Sequence, residues 1–174
     1  HFSPPALYRL VPMTMVVESY LRNLWRLERL QALDDAGISV EVIGHDWEFA
    51  GFENHALKAP VGYEESLRLL TQAKVALNVS PQFFSGSHER VFDATINGAA
   101  CLTTRSSYFA EVFGADQNVA FYDVSEPDSI VEQARSLLGD DSRRKTMAQD
   151  AQMEAKRNHT WRVRAEQVID AYQA

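Results

Sequence analysis

The stretch from Val75 to Thr104 constrains the fold more than any other, because it reads strand, loop, helix, strand in thirty residues. An apolar run, Val75-Ala-Leu-Asn-Val79, ends at Ser80-Pro81 and opens into a loop rich in Gly, Ser and His. A short helix is expected from about Glu89 to Asn97, where Gly98 stops it, and a second apolar run, Ala99 to Leu102, follows. Two buried strands joined by a helical crossover form the βαβ unit of a parallel sheet. Ligands of such sheets sit outside the carboxyl ends of the strands. That end is here the segment Ser80 to Arg90, where the unusual polar residues of the chain concentrate.

The flanking sequence extends the alternation. Residues 1–13 carry Pro4, Pro5 and Pro12 and predict an extended lead-in or linker. Leu21, Leu24, Leu30 and Leu33 predict a helix from Thr14 to Ala36, with Arg22, Arg26 and Arg29 between them and Gly37 as its stop. Ser39 to Ile43 reads as a strand, 45–54 as a loop, Ala56 to Lys58 as a short edge strand, and Tyr63 to Lys74 as a helix. Beyond Thr104 come a helical turn from Ser107 to Phe113 and a last strand from Asn118 to Tyr122. Three closing helices are expected: Glu126 to Leu138 with Ser125 as N-cap, one from Asp140-Asp141-Ser142 to Arg157, and one capped by Thr160. Alternating strands and helices predict an α/β, doubly wound parallel sheet, with the last three helices wrapping its edge. Strands at Val40–Ile43, Val75–Val79, Ala100–Thr103 and Val119–Phe121 are expected in that sheet.

Composition narrows the function. At 174 residues the chain is long enough to bury roughly 70% of its unfolded surface. Its 45% hydrophobic and 24% charged content excludes a disordered class. A net charge of −7 argues against a nucleic-acid partner, while leaving room for a local basic pocket. Cys101 is the only cysteine, which points to a reducing, cytoplasmic compartment. No apolar run approaches the ~20 residues of a membrane span. The start at His1 suggests a piece of a longer polypeptide.

Within the central unit, Ser85-Gly86-Ser87-His88-Glu89-Arg90 precedes the helix. Gly86 permits close backbone approach to a ligand, and free N–H groups at a helix start favour an anion. Arg90 adds a planar cation suited to phosphate or pyrophosphate. A capped helix start with a solvated arginine fits the same spacing, since neither a P-loop nor a G-x-G-x-x-G fingerprint is present. Asp93 lies one turn on. It suits two ribose hydroxyls, or a surface ion pair with Arg90. No histidine stands with a cysteine or a second histidine at ligand spacing, so no metal is expected. His45-Asp46 reads as a loop pair, and Asp34-Asp35 and Asp140-Asp141 as helix-end acids. No nucleophile elbow supports hydrolase chemistry.

Taken together, Val61-Gly-Tyr-Glu-Glu65, Ala73 to Ser80, Arg90-Val-Phe-Asp-Ala94 with Asn97-Gly98, Leu102-Thr-Thr104, the Phe109–Phe113 turn, Tyr122, and His159-Thr160 with Arg164 resemble a known family. The resemblance is to the carboxyl-terminal domain of GT-B glycosyltransferases, in the "glycosyl transferases group 1" branch of CgeB-like proteins. It covers roughly Gly37 to the C-terminus. It implies a Rossmann-like half of a GT-B fold over residues 14–174, binding a nucleotide-diphospho-sugar without a metal. An amino-terminal domain of the same polypeptide would bind the acceptor. Ser85, Gly86, Ser87, His88, Glu89, Arg90 and Asp93 form the implied donor-binding segment. Asp93 stands where relatives place a ribose-gripping glutamate, and Arg90 where they often carry an arginine. The pattern departs at Ser85, where retaining relatives carry a second glutamate, and Glu89 is off register. A non-catalytic nucleotide-binding or scaffold domain and a GT-B sugar-nucleotide epimerase share the implied fold.

Overall fold

The computed structural model describes residues 4–80, 82, 84–114 and 117–173, with backbone only for 4–9. The chain opens on helix α1, Pro4–Asp35, which corrects the expected extended lead-in: the segment is helical from Pro4. Prolines at the first positions of a helix cost nothing, because no N–H is needed there. Pro12 lies inside the helix and leaves the carbonyl four residues before it without its usual donor. Asp34 ends α1 as a structural acid. Its carboxylate accepts the backbone N–H groups of Glu53 and Asn54, both at 2.7 Å, and so folds the 51–55 loop against the helix.

Strands β1, Glu41–Ile43, and β2, Ala56–Lys58, pair in parallel. Helix α2, Tyr63–Leu70, leads to β3, Val75–Asn78. Then follow α3, Glu89–Ile96; β4, Ala100–Thr104; α4, Ser107–Phe113; and β5, Ala120–Tyr122. The chain closes with α5, Pro127–Gly139; α6, Asp141–Asn158; and α7, Trp161–Gln173. The three central strands form one parallel sheet in the order β3-β4-β5. The expected strand around Val40–Ile43 does not join it among the described residues. It pairs with β2 in a separate two-stranded sheet.

Both faces of the central sheet are covered, as a doubly wound, Rossmann-like sheet requires. Successive residues of β4 point to opposite faces, so Cys101 packs with Val91 of α3, Phe109 and Phe113 of α4 and Ala151 of α6. Leu102 packs on the other side with Leu33 of α1 and with Ile130, Ala134 and Leu137 of α5. Every residue of β4 is buried, which explains why the strand reads as a continuous apolar run. Helix α5 packs on one face, while α6 contributes Met147 to that side and Ala151 and Ala155 to the other.

One detail at a helix start differs from expectation. Glu126, not Ser125, is the N-cap of α5, with no side-chain bond. The Asp123 carboxylate accepts the N–H and hydroxyl of Ser125 at 2.8 and 2.6 Å, which holds that serine in a turn. Asp140 caps α6, accepting the Arg143 N–H at 2.9 Å. Pro81, expected to end the central strand, lies outside the described residues.

Candidate functional site

Parallel strands put all their carboxyl ends on one edge, and here a buried polar network ties those ends together. The Asn78 amide donates to Thr103 Oγ1 at 2.9 Å, and the Tyr122 hydroxyl donates to the Asn78 carbonyl at 3.2 Å. Ser80 Oγ donates to Asn78 Oδ1 at 3.2 Å. A fully partnered network of this kind rigidifies the edge that carries the loop.

The loop is fastened on two sides. Gln82 donates to the Glu18 carboxylate of α1. Ser107 N–H donates to the Phe84 carbonyl at 2.9 Å, and Ser106 Oγ to the Gly86 carbonyl at 2.6 Å. The start of α4 therefore holds the loop from below. Ser85 and Ser87 are exposed. A shallow pocket lined by Phe84, Arg105, Ser106 and Asp123 opens beside this loop.

His88 is the N-cap of α3. Its Nδ1 accepts the Arg90 N–H at 3.3 Å, so that donor is not open to a ligand, contrary to the expectation of a free helix start. Burial, ahead of all other influences, lowers the pKa of His88, and Arg90 and Arg26 add to the lowering against Glu89 and Asp93. A neutral ring makes its 3.4 Å approach to the exposed Glu89 a contact rather than an ion pair.

Arg90 and Asp93 do not pair among the described residues. Asp93 is half-buried and accepts a hydrogen bond from the Tyr63 hydroxyl of α2 at 3.2 Å. Burial raises the Asp93 carboxyl above its usual range, with Glu89 adding to the rise and the Tyr63 bond opposing it. The Asp93 charge in turn raises the Tyr63 phenol. Asp93 faces α2, whereas the charge of Arg90 acts on a cation of α1.

That cation, Arg26, lies on the polar side of α1, which the spacing of the leucines did not bring out. Glu18, Arg22, Arg26 and Arg29 recur every three to four residues and share one side of α1. Arg29 is only 4% exposed and donates through Nη2 to the Val124 carbonyl just past β5. Its Nε has no partner among the described residues. Arg26 is half-buried, and burial, then Arg90, then Arg22 push its pKa below the ordinary arginine value. The readable signal was the i, i+4 spacing of Glu18, Arg22 and Arg26, which a search for apolar periodicity passes over.

Near this edge Arg90 supplies an exposed guanidinium, and Asp93 a carboxylate that accepts from the Tyr63 hydroxyl. Such groups can meet a phosphorylated group and accept hydrogen bonds from hydroxyls. Among the described residues no three His, Cys, Asp or Glu side chains gather as a metal site. Among the same residues no helix is long and apolar enough to cross a membrane.

The aromatic face of α3 is held from behind. His159, between α6 and α7, stacks on Phe92 with ring centroids 5.1 Å apart. Arg164 Nη2 lies 2.5 Å from His159 Nδ1 and 3.2 Å from the Tyr108 hydroxyl, which fixes the start of α7 on α4.

Comparison with known proteins bears on this edge directly. No curated protein matches the chain. The profile of a family described as glycosyl transferase-like matches residues 22–170. The match runs from Arg22 of α1 to Asp170 of α7 and contains the whole central sheet, its loop and the candidate site. On that coverage the chain belongs to the glycosyl transferase-like family.

Proposed function

We propose that the chain is the donor-binding half of a GT-B glycosyltransferase of the CgeB-like type and holds a nucleotide-diphospho-sugar at the carboxyl edge of its central sheet. One observation carries the reading. The loop after β3 and the start of α3 bring a cationic side, with Arg90, and a carboxylate side, with Asp93, to one edge of a glycosyl transferase-like fold. Arg90 and the 84–88 backbone face the diphosphate, and Asp93 accepts the ribose hydroxyls, with Tyr63 released from it or retained beside it. The diphosphate carries off negative charge as the glycosidic bond to the sugar breaks. A preorganised guanidinium stabilises that charge without a metal ion.

The acceptor comes from a second, amino-terminal domain of the same polypeptide. Exposed apolar side chains on α1 (Met13, Val16, Val17) and α7 (Trp161, Val168, Ile169) support such a contact, since large exposed apolar patches mark interaction surfaces. A non-catalytic nucleotide-binding role is the second reading, favoured by Ser85, an exposed hydroxyl where retaining relatives carry an acid.

Calorimetric titration of the folded chain with UDP, GDP and ADP tests the proposal. One of the three binds with a loss in Asp93→Asn. No heat from any of them in a folded sample counts against donor binding. Sugar transfer by a protein that also carries the acceptor domain separates the catalytic reading from the second one.

A further inference from the structure

Tyr63 opens α2 and Asp93 lies one turn into α3, yet the fold brings their side chains together. The Tyr63 hydroxyl donates to Asp93 Oδ1 at 3.2 Å. The other oxygen, Oδ2, accepts no hydrogen bond among the described residues. The Asn97 amide, one turn on, donates instead to the Asp93 main-chain carbonyl at 2.8 Å. The carboxylate thus has one oxygen taken and one open. The backbone beneath the phenol is fixed: Ser66 N–H donates to the Gly62 carbonyl at 3.0 Å, and Ser66 Oγ to the Tyr63 carbonyl at 2.6 Å. The Tyr63 side chain itself is free to move. Tyr63 is 64% exposed, and a Cβ placed on Gly62 beside it would meet nothing within 4 Å. The ring can swing away from Asp93 between staggered rotamers without disturbing α2.

We propose that Tyr63 is a specificity-determining residue of the nucleotide site, its phenol competing with one of the two vicinal hydroxyls of a ribose for Asp93 Oδ1. This role rests on the donor-binding reading of the edge. A carboxylate only accepts, so it holds a diol best when each oxygen takes one hydroxyl. A ribonucleotide has to displace the phenol to engage both oxygens, and the hydrogen bond broken there offsets part of what the second hydroxyl gains. A 2′-deoxynucleotide has a single hydroxyl for the carboxylate, uses Oδ2 and leaves Tyr63 in place. Tyr63 therefore blunts the preference of the site for ribose over deoxyribose.

Calorimetric titration of the whole chain, wild type and Tyr63→Phe, with UDP, GDP and ADP and with their 2′-deoxy forms tests this. Phenylalanine keeps the ring and removes only the donor. The ribonucleotide bound by the wild type is expected to bind Tyr63→Phe about three- to tenfold more tightly, and its 2′-deoxy form with unchanged affinity. Ribonucleotide affinity that is equal or weaker in Tyr63→Phe overturns the competition while the donor reading stands. An equal gain for both sugar forms also overturns it, because the effect then bypasses the hydroxyls. No binding of any nucleotide by either protein overturns the donor reading, and this role with it.

Discussion

At the scale of residues, the candidate site keeps charges that the empty fold does not need. Arg90 is exposed and makes no ion pair among the described residues, so Arg90→Ala should change stability by less than about 1 kcal/mol. Its effect on nucleoside diphosphate affinity should be a loss on the order of 1.5–3 kcal/mol, read by calorimetry against thermal melting. Asp93 gives a prediction with a sign. Its carboxyl is raised in the fold, chiefly by burial, so the folded chain binds a proton there more tightly than the unfolded chain does. Stability is then fullest below the unfolded value and falls as pH rises through the folded one. Asp93→Asn should therefore melt at or above wild type at pH 7, with the gap closing toward pH 4, while losing nucleoside affinity. Sequence alone placed Arg90 and Asp93 correctly on one short helix, because both lie within a turn of the Gly86 loop. It did not single out Tyr63, which comes from an element far away in the chain and meets Asp93 only after folding. It placed His88 in the donor-binding segment, and in the fold the ring of His88 caps α3.

Among the elements, the interior ones were legible and the first was not. β4 and α4 carry continuous apolar runs or clear stops, and both fall where their residues predict. The lead-in was read as extended from three prolines, but two of them occupy the first turn of α1, where proline is tolerated. The strand at Glu41–Ile43 was placed in the central sheet on β-branched alternation, which sets a strand but not its neighbour. α7 depends on the His159 latch. Burial, then Arg164, lowers the His159 pKa, so the fold favours the neutral ring. The latch is fully present above the unfolded histidine value of about 6.5 and is lost as pH falls through the folded one. Thermal melting should therefore weaken on acidification below about pH 6.5. The decline should be smaller in His159→Phe, which keeps a ring against Phe92 and has nothing to protonate.

For the whole molecule, a parallel sheet packed on both faces serves to hold one edge still. Phe113 is fully buried between β4, β5 and α6 and touches no ligand in this account. Phe113→Ala should cost about 3–5 kcal/mol of stability, read by denaturant unfolding. Nucleotide affinity, measured where the variant remains folded, should change little. The central claim is that a nucleotide-diphospho-sugar binds at the carboxyl edge, at Arg90 and the Asp93 carboxylate. The most direct measurement is an amide NMR titration of the folded chain with UDP, GDP and ADP. The account predicts saturable shifts at Gly86, Arg90 and Asp93 together with Tyr63, for at least one of the three nucleotides. Shifts confined to other surfaces, or none with any nucleotide, would contradict it.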